Sequence, residues 1–124
     1  MKLRIRGNSV RIRLSQSEMA RLAADGAVED AVAFAPGERL GYRVVVREDA
    51  DAAAAYESDR VTITLPRARF ERWLLPEEVS IRAEQPLGGE DRLLILVEKD
   101  FTCLTPRQGE EDSDLFPNPA AGPG

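Results

Sequence analysis

Two sets of side chains in this chain are spaced so that they can act together. Lys2, Arg4, Arg6, Arg11 and Arg13 alternate with other residues on either side of Gly7-Asn8, and Glu98 and Asp100 flank Lys99 near the other end. In an extended strand alternate residues share a face, so the five cations form one face and the two carboxylates project together. A cationic face of this kind suits phosphate groups, nucleic acid or an acidic stretch of protein. A carboxylate pair at this spacing can ligate a hard cation or divide acid and base work. The plainer reading sets these carboxylates against the hairpin arginines, or against Arg43 and Arg47, as ordinary ion pairs.

The chain has no histidine and one cysteine, Cys103. That composition excludes Ser-His-Asp and Cys-His nucleophilic pairs, two-histidine zinc sites and imidazole proton relays. One cysteine without histidine also excludes the zinc knuckles and ribbons, which need four nitrogen or sulfur ligands. Gly88-Gly89 precedes a strand pattern where a phosphate loop has to precede a helix. The sequence therefore assigns no catalytic residue, no metal-ligand set and no cofactor. Cys103 follows a leucine- and isoleucine-rich strand and has no histidine to stabilise a thiolate, so a buried, quiet thiol is expected.

The elements that position the two charged sets can be read from periodicity. Met1–Leu14 reads as a β-hairpin turning at Gly7-Asn8. This register sets Ile5 opposite Val10 and Leu3 opposite Ile12 on a buried face, and Arg4 opposite Arg11 and Lys2 opposite Arg13 on the other. Like charges directly opposite one another repel, so the basic face needs carboxylates, an anionic ligand or solvent to offset them. Ser15-Gln16-Ser17-Glu18 is a capping box with Leu14 and Met19 as its staple, opening a helix over 16–25 that Gly26 stops. Val28–Phe34 and Leu40–Val46 follow as strands.

The pattern then restarts. Val10/Val61, Ile12/Ile63, Leu14/Leu65, Met19/Phe70, Leu22/Trp73, Ala23/Leu74, Val28/Val79, Tyr42/Leu93, Val44/Ile95 and Val46/Val97 share an offset of 51. This predicts two pseudo-equivalent β-α-β-β units, 10–47 and 61–98, with the acidic, alanine-rich 48–60 as a connection holding at most a helical turn. Pro66 is expected at the first turn of the second helix. The fold class is α+β: one domain over 1–104 with a seven-stranded, mainly antiparallel sheet and two helices. The strand from Arg92 to Phe101 is apolar on both faces, which predicts a central position or a side given to a partner chain.

Beyond Leu104 periodicity stops. Residues 105–124 read as an acidic, proline-rich tail in which Glu110-Glu111-Asp112-Ser113-Asp114 is followed by two apolar anchors, Leu115 and Phe116. The block carries a charge of −4 out of a formal net charge of −5 for 124 residues, leaving a nearly neutral body with a basic face. Two readings stand: the tail folds back onto the hairpin in cis, or it is a linear motif for a partner. The longest apolar runs fall far short of the roughly 20 residues needed to cross a bilayer, and there is no signal-peptide core, so a cytoplasmic protein with no membrane association is expected.

The segment Arg4–Glu18 (RIRGNSVRIRLSQSE), with EKDFTCL at Glu98–Leu104 and EDSDLFPNP at Glu111–Pro119, resembles a family of small uncharacterised bacterial proteins. The resemblance implies one bacterial domain and carries over no functional residue. Three function classes follow. The leading one is a small non-enzymatic binding module with a protein partner or a second copy of itself. The second is an anion binder for phosphate or nucleic acid, although a sequence pI of about 4.8 argues against nucleic acid. The third is a carboxylate-based, metal-dependent phosphohydrolase with a charged tunnel. Triphosphate tunnel enzymes, however, carry Glu-x-Glu-x-Lys on an early strand, where this chain reads Lys2-Leu3-Arg4-Ile5-Arg6.

Overall fold

The computed structural model describes residues 1–101 and Phe116. The strands are β1 (Lys2–Arg6), β2 (Ser9–Leu14), β3 (Ala27–Ala35), β4 (Glu38–Arg47), β5 (Ala53–Glu57), β6 (Arg60–Pro66), β7 (Ser80–Pro86) and β8 (Arg92–Lys99). Two helices, α1 (Gln16–Asp25) and α2 (Arg67–Trp73), complete the described chain. The α+β class and the two helices are as expected, but the single seven-stranded sheet is not. Eight strands form two four-stranded sheets, a first in the order β1-β2-β8-β7 and a second in the order β3-β4-β6-β5. Four strand pairs are antiparallel hairpins, and each sheet is completed by one parallel pair, β2 with β8 and β4 with β6.

The strand missed from the sequence is β5, which lies in the segment expected to be a connection. Three successive alanines give neither a period-two pattern nor strand propensity, so nothing local identifies it. Pairing does: Ala54 lies opposite Ile63, and the Gln85 amide on β7 accepts from the Ala54 N–H at 2.7 Å and donates to its carbonyl at 3.0 Å. A side chain of the first sheet thereby clamps the edge of the second.

Helix α1 matches its expected bounds. Ser15 accepts from the Glu18 N–H at 3.4 Å, Glu18 accepts from the Ser15 N–H at 2.9 Å, and Gly26 ends the helix in the left-handed conformation with φ 78°. Pro66 is not in the first turn of α2; it is the N-cap residue and also the last residue of β6. Its fixed φ serves the extended end of the strand equally well.

The inner faces of both sheets share one core. Ile12, Leu14, Ile81, Ile95 and Val97 come from the first sheet, Val28, Val44, Val46, Ile63 and Leu65 from the second, and Met19, Leu22, Phe70 and Trp73 from the helices. Phe70 and Trp73 meet at 6.2 Å, and the Trp73 indole N–H donates to the Val79 carbonyl at 3.1 Å, so the polar edge of the largest core residue is satisfied.

Advancing every strand number of the first sheet by four turns β1-β2-β8-β7 into β5-β6-β4-β3, the second sheet read backwards. The residue offset behind this is not constant, contrary to the expectation from sequence. It is 51 through the first hairpin, where Ile5↔Val10 corresponds to Tyr56↔Val61. It is 53 in the second, where Val28↔Val44 corresponds to Ile81↔Val97. The parallel pairs Val10↔Ile95 and Tyr42↔Val61 obey both offsets together. The equivalences Val28/Val79, Tyr42/Leu93, Val44/Ile95 and Val46/Val97 are therefore displaced by two residues, a difference taken up in the longer connection after Trp73. Burial agrees: Val28 is buried, Val79 is 47% exposed and Ile81 is buried. At the 53 offset the partner of buried Val46 is Lys99, which is only 5% exposed.

Candidate functional site

The β1–β2 hairpin forms in the expected register, with Lys2↔Arg13, Arg4↔Arg11 and Arg6↔Ser9. Because β2 pairs in parallel with β8, and β8 with β7, these pairs extend into three rows across the outer face of the first sheet. One row runs Arg4, Arg11, Leu96, Arg82, the second Lys2, Arg13, Glu98, Ser80, and the third Arg6, Ser9, Leu94, Glu84. The tertiary fold thus brings the two charged sets of the sequence onto one face, which Leu94 and Leu96 share. The opposite face of the hairpin is less buried than expected. Ile12 is fully enclosed, but Ile5 is 61% exposed, because β1 is an edge strand and this end of it projects past the core.

Glu98 sits between the arginines, its Oε1 atom 2.9 Å from Arg11 Nε and 3.7 Å from Arg13 Nε. That oxygen is buried yet makes no aligned hydrogen bond, so the attraction is Coulombic. Lys2 Nζ lies 3.0 Å from Asp100 Oδ2. Both carboxylates are thus turned toward hairpin cations. Among the described residues no three carboxylate or thiol groups gather as a metal site. Arg4 and Arg6 have no carboxylate within ion-pair distance among the described residues. Between them and Arg11, Leu94 and Leu96 lies a hollow of about 100 Å³. Leu94 and Leu96 are half-buried, on the outward side of a strand that is central in its sheet, as the two-faced pattern of 92–97 predicted.

The inner side of β8 ends in a buried cation that sequence reasoning passed over. Lys99 Nζ donates at 2.8 Å to the Leu75 carbonyl, just past the C-terminus of α2, an oxygen it shares with the Glu78 N–H at 3.1 Å. Burial pushes the Lys99 ammonium below its ordinary pKa, and Glu77 and Glu78 oppose that shift. The signal was present: in Glu98-Lys99-Asp100 the middle residue must face inward if its neighbours face outward.

Phe116 sits at the foot of this strand. It pairs in a parallel bridge with Phe101, and its N–H donates to the Asp100 carbonyl at 2.8 Å. Its ring meets Phe101 edge-on at 5.9 Å, and Lys99 Nζ lies 5.5 Å from the ring centre. One of the two expected tail anchors is therefore seated against its own chain. Leu115, Cys103 and the acidic block Glu110–Asp114 lie outside the described residues.

A second concavity, a cleft of about 690 Å³, opens at the turn end of the second sheet and was not anticipated. It is lined by Glu29, Asp30, Arg39, Ser58, Asp59 and Arg60, with Arg60 3.4 Å from Glu29. Ser58 and Asp59 turn the β5–β6 hairpin with φ of 54° and 58°, values that glycine adopts more readily. The only trace of this turn in the sequence is a polar pair just ahead of the Val61–Leu65 strand pattern. Burial raises the Tyr42 pKa, and the neighbouring Asp30, which hydrogen-bonds it, adds to the shift. With both charge signs interleaved, this cleft favours no single class of ion.

No helix among the described residues is long and apolar enough to cross a membrane. Neither the curated proteins nor the solved structures contain a match to this chain. A family model described as a family of unknown function (DUF7009) matches residues 1–120. The chain, with its two sheets and its basic outer face, belongs to this uncharacterised family, DUF7009.

Proposed function

We propose that this chain is a small binding module that receives an acidic, partly apolar segment of a protein partner on the outer face of the first sheet. The observation that carries the reading is the pairing pattern: Glu98 and Asp100 engage Arg11, Arg13 and Lys2, while Arg4 and Arg6 are left facing Leu94 and Leu96 across a hollow. Cations beside a half-buried apolar strip match a segment that alternates carboxylates with leucine or phenylalanine. The apolar contacts supply affinity and the charges supply orientation and association rate. A bare phosphate or nucleic-acid backbone would use the arginines and leave the leucines without a role, and an overall charge of −5 works against polyanions.

The test is titration with a labelled peptide alternating glutamate and leucine, against a DNA duplex of equal charge. Micromolar to millimolar binding of the peptide that is lost in the Arg4→Glu/Arg6→Glu variant supports the reading. Preference for the duplex overturns it in favour of an anion binder.

We also infer that the two halves derive from one doubled β-β-α-β-β unit. The offsets of 51 and 53 account for the pairing in both sheets, which supports this. Residues 1–52 alone should then associate as a dimer that rebuilds both sheets, detectable by sedimentation. An unstructured monomer counts against duplication.

A further inference from the structure

We propose that the acidic segment Glu110–Asp114 of this same chain occupies the basic face when no partner is bound, so that a partner binds by displacing it. The inference deepens the binding-module reading and rests on it for the displacement step. It rests independently on where Phe116 is seated. Phe101 lies two residues past the end of β8, and Phe116 is seated beside it, its N–H bonded to the Asp100 carbonyl, so the two ends of the intervening segment meet at one point of the first sheet. That point adjoins the basic face, because Asp100, whose carbonyl receives the Phe116 N–H, also holds Lys2 through its carboxylate at 3.0 Å.

Reach and charge both fit. Asp114 is two residues from the seat and Glu110 is six, so an extended chain places them up to about 7 and 21 Å away at roughly 3.5 Å per residue. The row of outward cations from Lys2 to Arg6 spans about 14 Å at roughly 3.4 Å per residue. The block supplies Glu110, Glu111, Asp112 and Asp114. The face offers Arg4 and Arg6, which have no carboxylate partner among the described residues. Exposed charges at this spacing attract weakly in salt, since screening takes hold beyond about 8 Å. Tethering compensates, because a segment covalently joined to the face is held at an effective concentration in the millimolar range, so a contact that is weak between separate molecules is populated within one.

The experiment uses the full chain, its Glu110→Gln/Glu111→Gln/Asp112→Asn/Asp114→Asn variant, and a labelled synthetic peptide with the sequence of residues 110–116. The neutralised variant should bind the peptide about fivefold or more tightly than the parent, because its face is no longer occupied by a tethered competitor. Equal affinities overturn the cis contact. A spin label at Gly109→Cys, in a Cys103→Ser background, provides a readout that needs no partner. It should broaden the amide signals of Arg4 and Arg6 within the same molecule, and the effect should weaken in Phe116→Ala. Broadening that appears only between labelled and unlabelled copies assigns the contact to a second chain and overturns the proposal. Broadening within one chain, with no peptide bound by either protein, upholds the cis contact and counts against the binding-module reading.

Discussion

Lys99 and Val46 occupy equivalent positions in the two sheets, each the last inward-facing residue of a central strand, yet one is a buried ammonium and the other a buried valine. The substitution is accommodated because α2 ends beside Lys99 and offers the Leu75 carbonyl, whereas Val46 belongs to the apolar core that both sheets share. A cation at this place ties the end of β8, the end of α2 and the ring of Phe116 together.

The depressed pKa of Lys99 gives stability a defined slope with pH. Between the folded-state value and the ordinary value of 10.5, the unfolded chain binds the proton that the folded chain releases. The contribution of this group therefore rises with pH in that window and is flat below it. In Lys99→Met the slope should vanish, so any stability advantage of the variant should shrink from pH 8 to pH 10.5 in denaturant titrations. A constant difference across that range excludes a depressed pKa.

Glu18 acts in the opposite direction. Burial pushes its carboxyl up, but the amino terminus of Met1 and the Ser15 N–H and hydroxyl together outweigh this, so the net shift is downward. Its contribution is complete above the ordinary carboxylate pKa and is lost as pH falls through the folded-state value. Glu18→Gln should flatten the acid limb of the stability curve. Ser15→Ala should cost about 1 kcal/mol at neutral pH through loss of the cap.

Removing the Gln85 clamp leaves the Ala54 N–H and carbonyl, on the edge of the second sheet, without their partner. Gln85→Ala is expected to cost about 1–3 kcal/mol, the usual penalty for orphaned backbone groups that are partly buried. The Ala54 amide should lose hydrogen-exchange protection before the rest of β5. Global loss of protection without this local effect would show that Gln85 acts through the core.

Arg4 and Arg11 face each other across the β1–β2 pair, a repulsive arrangement. Arg4→Glu should relieve it, raising stability by about 0.2–1 kcal/mol at low salt, with the gain fading as salt rises. The same change should weaken peptide binding. Stability and binding moving in opposite directions is the mark of a residue kept for function, and a fall in both would make Arg4 merely structural.

Much of this molecule was legible in local patterns. The first hairpin and its register, the capping box of α1 and the central place of β8 all follow from rules that act over a few residues: alternation, turn chemistry and helix caps. These features report on backbone conformations and faces, which neighbouring residues largely decide. The division into two sheets was not legible. Period-two patterning says which side of a strand is buried, but not which strand lies beside it, and the crossed pairing of β2 with β8 and of β4 with β6 is decided by how two inner faces and two helices fill one core. For the same reason β5 was missed, since its alanines become a strand only when Ile63 and Gln85 lie alongside. The two-residue change of offset was hidden too, because a connection of different length shifts register without disturbing either local pattern. The sequence alone supplied the two charged sets. Only the tertiary structure brought them onto one face, where Glu98 and Asp100 satisfy some of the cations and leave Arg4 and Arg6 for another ligand.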